Sequence, residues 1–273
     1  MPYIAKKLYF CTIYDQIINE MNNRPLILVS NDDGYKAQGI NTLIDILTEF
    51  GDVIAVAPHI GRSGKGCAIT SETPLKVTKV AERPGVEIYS CTGTPCDCVK
   101  LACHAITPRR PDLIIGGINH GDNSAVNAHY SGTMGVVFEG CMKDIPSIAF
   151  SHCSHSAEID FTPTFPIIRS IVTEVLKRGL PKGSCLNVNF PDTTEYAGIK
   201  ICRQAMGNWI NEWEAHDHPR GGKWWWLTGE FKTNETDCEA DRIALNNNFV
   251  TITPTKIDVT DYTLMEEMKS WNL

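Results

Sequence analysis

The sequence predicts an α/β protein, a three-layer sandwich around a mainly parallel sheet. Aliphatic runs of strand length alternate with helix-patterned segments from residue 25 to residue 190. Several of these runs are apolar throughout, as strands covered by helices on both faces must be. The final third of the chain, from about residue 199, lacks this alternation. We expect a β-rich extension there that is used in oligomerisation.

The first strand–helix–strand unit contains the motif ILVSNDDG at residues 27–34. Pro25–Ser30 is a continuous aliphatic run and predicts a buried strand. Apolar residues recur at helical spacing over 40–47, and Gly51 stands where a helix ends. Val53–Ala57 is the second aliphatic run, which ends at Pro58. The order is therefore strand, loop, helix, strand.

A hairpin or edge strands, and then a second helix, are predicted next. Residues 68–90 alternate between apolar and polar side chains, and Pro84–Gly85 predicts a turn within them. Thr94–Asp97 supplies an N-cap, a proline at the first helical position and an acidic residue in the first turn. These signals predict a helix that runs to about Ala105.

The alternation continues to residue 190. Further strands are predicted at 113–118, 147–150 and 186–190, and further helices after Ser131 and at 167–176. The last third contains the strand-like FVTITPT at 249–255 and the run Trp224–Trp226. We expect these tryptophans to pack within the extension. The alternative is that they stack on a ligand base, since aromatic faces stack on bases.

Composition and charge argue against nucleic-acid binding and against a membrane-spanning protein. The 273 residues carry a net charge of -7 and contain no run of lysine and arginine, which argues against a nucleic-acid partner. The apolar runs are far shorter than the ~20 residues that a membrane span needs. We therefore expect no membrane contact.

The eleven cysteines are spread along the whole chain, which is typical of reduced thiols and predicts a cytoplasmic protein. Two groups contain both cysteine and histidine, but neither has paired CxxC spacing, so buried thiols and an ordinary loop are the preferred interpretations over metal binding. They are Cys91, Cys96, Cys98, Cys103 with His104, and His152, Cys153 with His155.

Residues 1–24 are predicted to be a leader, separate from the domain at 25–273. Their apolar piece, LYFCTIY, is short, and no small-residue cleavage site follows it, so a secretion signal is disfavoured. Translation from Met21 is the alternative explanation of this segment.

Polar residues follow three of the predicted strands at the point where each strand ends. The three ends read NDDG, PHIGRSGKG and NHGDN, and the carboxyl ends of parallel strands meet at one edge of a sheet. Their oxygen-bearing side chains are those of Asp32, Asp33, Ser63 and Asn119. Two adjacent buried carboxylates repel each other unless a cation lies between them, and oxygen ligands suit Mg²⁺, Mn²⁺ or Ca²⁺. The alternative is that Asp-Asp-Gly only forms a turn and caps the next helix.

Two glycine-containing loops are candidate phosphate sites. SGKG at 63–66 includes Ser63 and Gly64, and YSGTMG at 130–135 lies at a predicted helix N-terminus. Backbone N–H groups at such positions bind anions. The patterns GxxxxGK[ST] and GxGxxG after the first strand are both absent from the sequence, which disfavours nucleoside triphosphate turnover and nicotinamide binding.

Five motifs together resemble a known family. They are ILVSNDDG at 27–34, AP...SG at 57–64, TGTPCDCV at 92–99, GGINHGDN at 116–123 and YSGTMG at 130–135. Their order and spacing are similar to those of the SurE survival-protein family, and the resemblance runs from about Pro25 to the end of the chain. The sequence departs from the family in SAVNAH at 124–129, where a more acidic, glycine-containing loop is usual, and in the leader.

The resemblance implies a metal-dependent phosphatase of nucleoside 5′- and 3′-monophosphates, with a Rossmann-like core and a C-terminal arm exchanged in a homodimer or homotetramer. One divalent ion per subunit, Mg²⁺, Mn²⁺ or similar, would be held by Asp32, Asp33, Ser63 and Asn119. Asn123, Ser131, Gly132 and Thr133 would line the phosphate site, beside Ser63 and Gly64.

We hypothesise that water attacks phosphorus, held by Asp32 or Asp33 and activated by the metal. A rival mechanism is an aspartyl-phosphate intermediate, since carboxylates are also nucleophiles. The sequence lacks a DxD strand end, so water is preferred. The alternative function is a metal-dependent nucleotide sensor that does not hydrolyse its ligand. The sequence does not rank the bases or the 3′ and 5′ esters.

Overall fold

The computed structural model of the protein describes residues 24–154, 156 and 158–273. The predicted leader lies outside the described residues except for Arg24, and so does His155. Thirteen strands are present in the described part: β1 Leu26–Ser30, β2 Asp52–Pro58, β3 Val77–Arg83, β4 Val86–Cys91, β5 Leu113–His120, β6 Ser147–His152, β7 Ser184–Phe190, β8 Gly198–Ile201, β9 Asn208–Ile210, β10 Trp213–Asp217, β11 Lys223–Leu227, β12 Glu230–Lys232 and β13 Phe249–Lys256.

The helices are α1 Gln38–Leu47, α2 Pro95–Leu101, α3 Gly132–Met142, α4 Phe165–Arg178, α5 Asp241–Asn246 and α6 Tyr262–Met268, with a π-helical turn at Ala102–Ile106 and 3-10 turns at Ala125–His129 and Thr162–Thr164. The first four helices fall between the strands in the alternation that the sequence predicts, whereas α5 and α6 lie in the C-terminal third, where no helix was predicted. Among the described residues, no helix has both the length and the apolar character needed to cross a bilayer.

Nine strands form one sheet in the order β3-β4-β2-β1-β5-β6-β7-β13-β8. All neighbours are parallel except β3 with β4 and β13 with β7, which are antiparallel. The predicted mainly parallel α/β fold is therefore confirmed. The predicted hairpin is the pair β3 and β4, joined at Pro84–Gly85.

Helices cover both faces of the sheet and give the predicted three layers. Alternate residues of β1 point to opposite faces, so that Val29 lies in a core with α1 and α4, whereas Leu28 lies in a core with α2 and α3. All five residues of β1 are buried, because each face of the strand is covered by helices.

The order in which successive strands join the sheet changes direction at β1. From β1 it proceeds to β2 and β4 on one side, and β5 then pairs with the other side of β1. A crevice opens at the carboxyl ends of the two strands that flank such a switch point, and this is where open α/β sheets bind ligands. NDDG follows β1 and NHGDN ends β5, so the switch point places these two motifs together.

Part of the C-terminal third joins the main sheet, and the rest forms a separate hairpin. Strands β8 and β13 join the main sheet, whereas β9 with β12 and β10 with β11 form two small antiparallel ladders of one long hairpin. Trp224, Trp225 and Trp226 lie on β11 and are 56–59% exposed. The prediction that they pack within the extension was wrong, because a two-stranded ladder has no second layer to cover them.

Candidate active site

The two adjacent carboxylates lie in the crevice at the end of β1. Asp32 is 3% exposed, and its Oδ1 accepts a hydrogen bond from Thr133 Oγ1 at 2.7 Å. The Oδ2 of Asp33 accepts from the backbone N–H of His120 at 3.2 Å. One carboxylate therefore contacts α3 and the other contacts the end of β5.

Asn119 is placed by the end of β5 and by the close approach of α1. Its Nδ2 donates to the Gly121 carbonyl at 2.7 Å, which leaves Oδ1 as the side of the amide able to act as a ligand. The neighbouring Ile118 carbonyl lies only 2.0 Å from the position that a Cβ on Gly39 would occupy. Glycine at this helix position therefore allows the backbone of β5 to reach the crevice.

The loop after β2 is attached to NDDG by backbone hydrogen bonds. The N–H of Arg62 donates to the Asp32 carbonyl at 2.6 Å, and the N–H of Tyr35 donates to the Pro58 carbonyl at 3.0 Å. Ser63 and Gly64 come directly after Arg62 and are exposed. The structure thus brings their loop to the crevice but leaves these two residues at its open side.

The N-terminus of α3 lies directly against Asp32. The Oγ of Ser131 caps the helix by accepting from the Met134 N–H at 3.0 Å, as the sequence predicts. A Cβ on Gly132 would lie 2.7 Å from the Asp32 Cβ and 3.0 Å from its Oδ2, so only glycine fits between helix and carboxylate. The first helical N–H groups and the helix dipole are therefore available to an anion here.

Asn123 is held by a ring of buried amides that sequence reasoning missed. Its N–H donates to Asn189 Oδ1 at 2.7 Å, and its carbonyl accepts from Asn187 Nδ2 at 2.7 Å. Asn189 Nδ2 donates to Asn187 Oδ1 at 2.9 Å, which closes the ring. The only sequence signal was a pair of asparagines in the buried strand LNVNF.

Burial disfavours ionisation of both carboxylates, and the charge of Asp32 further disfavours ionisation of Asp33. Burial raises the pKa of Asp32 above its usual range, although the Thr133 hydroxyl opposes this. Burial first, and then the charge of Asp32, raise the pKa of Asp33 from its ordinary 3.8 to about 6. No lysine or arginine of the described residues forms a salt bridge with either group. In the described part of the chain, the pair therefore has no salt bridge to balance its charge.

The donor set fits a hard divalent cation. Asp32, Asp33 and Asn119 supply oxygen donors in one crevice, and Ser63 lies on a loop bonded to it. A divalent cation between the carboxylates would remove their mutual repulsion and favour the charged forms. Within the described ranges, no three or more His, Cys, Asp or Glu side chains group so as to hold a metal ion.

The pKa of Asp33 gives a testable prediction of stability. The pKa of Asp33 is raised from 3.8 to about 6 in the folded protein, so the folded state binds a proton at Asp33 more tightly than the unfolded state does. This tighter proton binding makes its full contribution to the free energy of unfolding below pH 3.8. The contribution is lost as the pH rises through about 6. In EDTA, we expect Asp33→Asn to be more stable than the wild type at pH 7.5 by up to about 3 kcal/mol, at roughly 1.4 kcal/mol per pKa unit.

Thermal unfolding of both proteins in EDTA at pH 4 and pH 7.5 measures this difference. All other titratable groups are the same in the two proteins. The difference between their pH dependences therefore reports only the ionisation of Asp33 and its repulsion of Asp32. Parallel pH dependences of the wild type and Asp33→Asn would contradict the prediction.

The family model described as Survival protein SurE matches residues 27–211. The chain is 58% identical over 251 residues to 5′-nucleotidase SurE of Phocaeicola vulgatus, covering 92% of this chain and 98% of that protein. It is 51% identical over 253 residues to 5′-nucleotidase SurE of Bacteroides fragilis, covering 92% and 99%. The crystal structure of the SurE protein from Aquifex aeolicus superposes with a TM-score of 0.78 at 35% identity, over 90% of this chain and 98% of that one.

Proposed function

This chain belongs to the Survival protein SurE family, and from that premise we propose that it is a divalent-metal-dependent phosphomonoesterase of nucleoside monophosphates. It is a 5′-nucleotidase, as are the relatives that carry that name. The observation that supports metal dependence is the adjacent pair of buried Asp32, which contacts the N-terminus of α3, and half-buried Asp33, which contacts the end of β5; neither forms a salt bridge with a basic side chain among the described residues.

The substrate phosphate binds at the N-terminus of α3 in this proposal. Ser131, Gly132 and Thr133 present backbone N–H groups at the positive end of an eleven-residue helix. Gly132 permits the close approach of the helix to Asp32, so that the phosphate and the carboxylates share one crevice. Asn123, fixed by its amide ring, and the loop of Ser63 and Gly64 line the remaining sides.

Asp32, Asp33, Asn119 and Ser63 hold the metal ion in this proposal, and the ion would polarise the phosphate oxygens and lower the pKa of a bound water. Thr133 orients the Asp32 carboxylate through its 2.7 Å hydrogen bond. The backbone N–H of His120 orients Asp33 in the same way. In this proposal Asp32 or Asp33 also positions the attacking water and accepts its proton as the P–O bond to the nucleoside breaks, and water remains the proposed nucleophile.

The proposal is tested by phosphate release from nucleoside 5′- and 3′-monophosphates in EDTA and in Mg²⁺ or Mn²⁺. We expect turnover of 5′-monophosphates to fall by at least about 100-fold in EDTA, because loss of a Lewis acid removes several kcal/mol of transition-state stabilisation. Addition of the metal should restore it. Turnover that is unchanged by EDTA would refute metal dependence, and absence of 3′ turnover would restrict the enzyme to 5′ esters.

We propose that the hairpin of β10 and β11 is an oligomerisation arm of a homodimer or homotetramer. The arm carries five large apolar side chains that are each more than half exposed: Trp213, Trp224, Trp225, Trp226 and Leu227. Apolar patches of this kind on a protein surface usually mark a protein interface. The partner in this proposal is a second copy of the chain.

Replacement of Trp224, Trp225 and Trp226 by serine tests the arm. We expect the sedimentation mass to fall from that of an oligomer towards that of a monomer, because the change removes most of the exposed apolar surface. Thermal unfolding checks that the sheet, which the arm does not join, stays folded. A wild-type monomer, or a variant with unchanged mass, would contradict the proposal.

We also propose a cytoplasmic location. All ten cysteines within the described ranges are free thiols. Among them, Cys67 and Cys96 lie close enough to interact electrostatically and are not joined by a disulfide. Neighbouring free thiols are typical of a reducing compartment.

A further inference from the structure

Two cysteines lie next to each other beside the loop that carries Ser63 and Gly64. Cys67 is on this same loop and is exposed, whereas Cys96, the second residue of α2, is fully buried. The Cys96 Sγ lies 3.9 Å from the Gly66 carbonyl oxygen, and the two thiols are close enough to interact electrostatically. An accessible thiol therefore has a second, buried thiol as its neighbour.

The two thiols differ in reactivity. The neighbouring Cys96 thiol lowers the pKa of Cys67 from its ordinary 9.0 to about 7, although burial and the charge of Glu139 oppose this. In turn, Cys67 and then burial raise the pKa of Cys96 well above its usual range. Cys67 also lines an open cavity of about 530 Å³, so a small oxidant reaches it. Because the thiolate is the nucleophile, Cys67 is the thiol that reacts first.

The pair packs against the N-terminus of α3. A Cβ on Gly135 would lie 2.8 Å from the Cys96 Sγ and 2.7 Å from the Gly66 carbonyl oxygen, so the first turn of the helix lies directly on both. The N–H of Gly66 donates to the Tyr130 carbonyl at 2.9 Å, next to the helix cap Ser131. The two cysteines therefore lie where the loop after β2 meets the proposed phosphate site.

We propose that Cys67 is a peroxide-sensitive modification site, whose oxidation ends in a reversible disulfide with Cys96 that displaces the loop of Ser63 and Gly64. In a reducing compartment both thiols are free, and the disulfides that do form there are usually transient and redox-sensing. The effect on activity rests on the proposed function, whereas formation of the disulfide does not.

The oxidation proceeds in two steps, with hydrogen peroxide as the oxidant. The Cys67 thiolate attacks one peroxide oxygen, so that an S–O bond forms, the O–O bond breaks and hydroxide leaves and is protonated to water. The Cys96 sulfur then attacks the sulfenic acid sulfur; the S–S bond forms, the S–OH bond breaks, and the Cys96 proton leaves with the hydroxide as water. The two sulfurs together lose two electrons to the peroxide. A dithiol reductant restores both thiols by thiol–disulfide exchange.

The disulfide should move the loop rather than the helices. An S–S bond of about 2.05 Å is much shorter than a non-bonded contact between two sulfur atoms, so one cysteine must shift. Cys96 is fully buried against Gly135, whereas Cys67 is exposed, so we expect the shift at Cys67. Ser63 and Gly64 lie on the same loop, and a misplacement of about 1 Å at a catalytic group lowers the rate by up to about 100-fold. Oxidation should therefore inhibit the enzyme.

The test treats the wild type with hydrogen peroxide, removes the peroxide by desalting, and then measures both activity and disulfide bonds. We expect phosphate release from AMP in Mg²⁺ to fall by about 10-fold or more and to recover on addition of dithiothreitol. The tryptic peptide 66–76, in which Cys67 is the single cysteine, should be linked to peptide 80–100, which contains Cys91, Cys96 and Cys98. Fragmentation of the linked peptides should assign the bond to Cys96.

Cys67→Ser is the principal variant, because replacement of an exposed side chain leaves the fold intact. It should match the untreated wild type in rate and keep that rate after peroxide. The matched control is Cys103→Ser, since Cys103 is a half-buried thiol whose pKa is raised by burial and not by another cysteine. This control should lose activity in peroxide as the wild type does.

Three results would overturn the inference: equal inactivation of the wild type and Cys67→Ser by peroxide, absence of the linked peptides, or a Cys67–Cys96 disulfide that leaves the rate unchanged. A wild type that hydrolyses no monophosphate, yet forms the Cys67–Cys96 disulfide, would instead refute the proposed function alone.

Discussion

Asp32→Asn is expected to lower kcat for 5′-monophosphates by at least about 1000-fold. The substitution preserves the shape of the side chain and an oxygen for the 2.7 Å hydrogen bond from Thr133, but it removes the charge from the most buried donor of the proposed metal set. A metal that polarises phosphate oxygens supplies several kcal/mol, and each 1.4 kcal/mol corresponds to about tenfold in rate.

Phosphate release under saturating Mn²⁺ measures the loss, and thermal unfolding in EDTA shows that the variant is folded. In EDTA we expect the variant to be at least as stable as the wild type at pH 7.5, because burial penalises the charged form of Asp32. Asp45→Asn is the matched control, since Asp45 is exposed and pairs with Arg83 away from the crevice. Retention of more than about a tenth of the wild-type rate in Asp32→Asn would exclude a catalytic role for this carboxylate.

Gly39→Ala is expected to destabilise the protein by about 3–5 kcal/mol. In an ordinary helix the change from glycine to alanine stabilises by roughly 0.5–1 kcal/mol, but here the new Cβ would lie 2.0 Å from the Ile118 carbonyl oxygen. The clash is with backbone, so α1 and β5 must separate, and buried apolar contacts are lost. The expected change in the free energy of unfolding is therefore opposite in sign to the change that helix propensity alone predicts.

The same change should reduce activity, because Ile118 directly precedes Asn119. A misplacement of about 1 Å at a catalytic group lowers the rate by up to about 100-fold. Urea unfolding and phosphate release measure the two effects. Gly61→Ala is the control for stability, since its Cβ would meet its nearest neighbours, backbone oxygens of Asp33 and Asp32, at 3.8 and 3.9 Å. Equal unfolding midpoints for Gly39→Ala and Gly61→Ala would contradict this account.

The sequence predicted those parts of the fold that local patterns encode. Continuous aliphatic runs predicted the buried strands, and Thr94 and Ser131 predicted two helix starts, where the structure shows both side chains accepting capping hydrogen bonds. The antiparallel hairpin at Pro84–Gly85 followed from turn chemistry. Strand ends that carry polar residues also predicted which loops meet, since parallel strands share a carboxyl edge. The family resemblance was confirmed by the match over 27–211.

Two sequence-based expectations failed or were incomplete for the same reason. The Trp224–Trp226 run was expected to pack, yet it is exposed, and β8 and β13 join the sheet although they lie in the segment expected to be an extension. Both outcomes depend on which elements become neighbours across the sheet. Composition and periodicity carry no information on that choice.

By itself, the sequence determined the alternation of strands and helices, the polar ends of β1, β2 and β5, and the carboxylate pair Asp32 and Asp33 as a candidate metal site. These depend on side-chain period, capping and turn chemistry, which act over a few residues. Only the tertiary structure decided which distant groups support that site. Asn123 reaches Asn189 across 66 positions and Arg242 reaches Asp122 across 120, and the burial that raises the pKa of Asp33 exists only once the sheet is formed. Such contacts follow from strand order and desolvation, which are properties of the assembled chain.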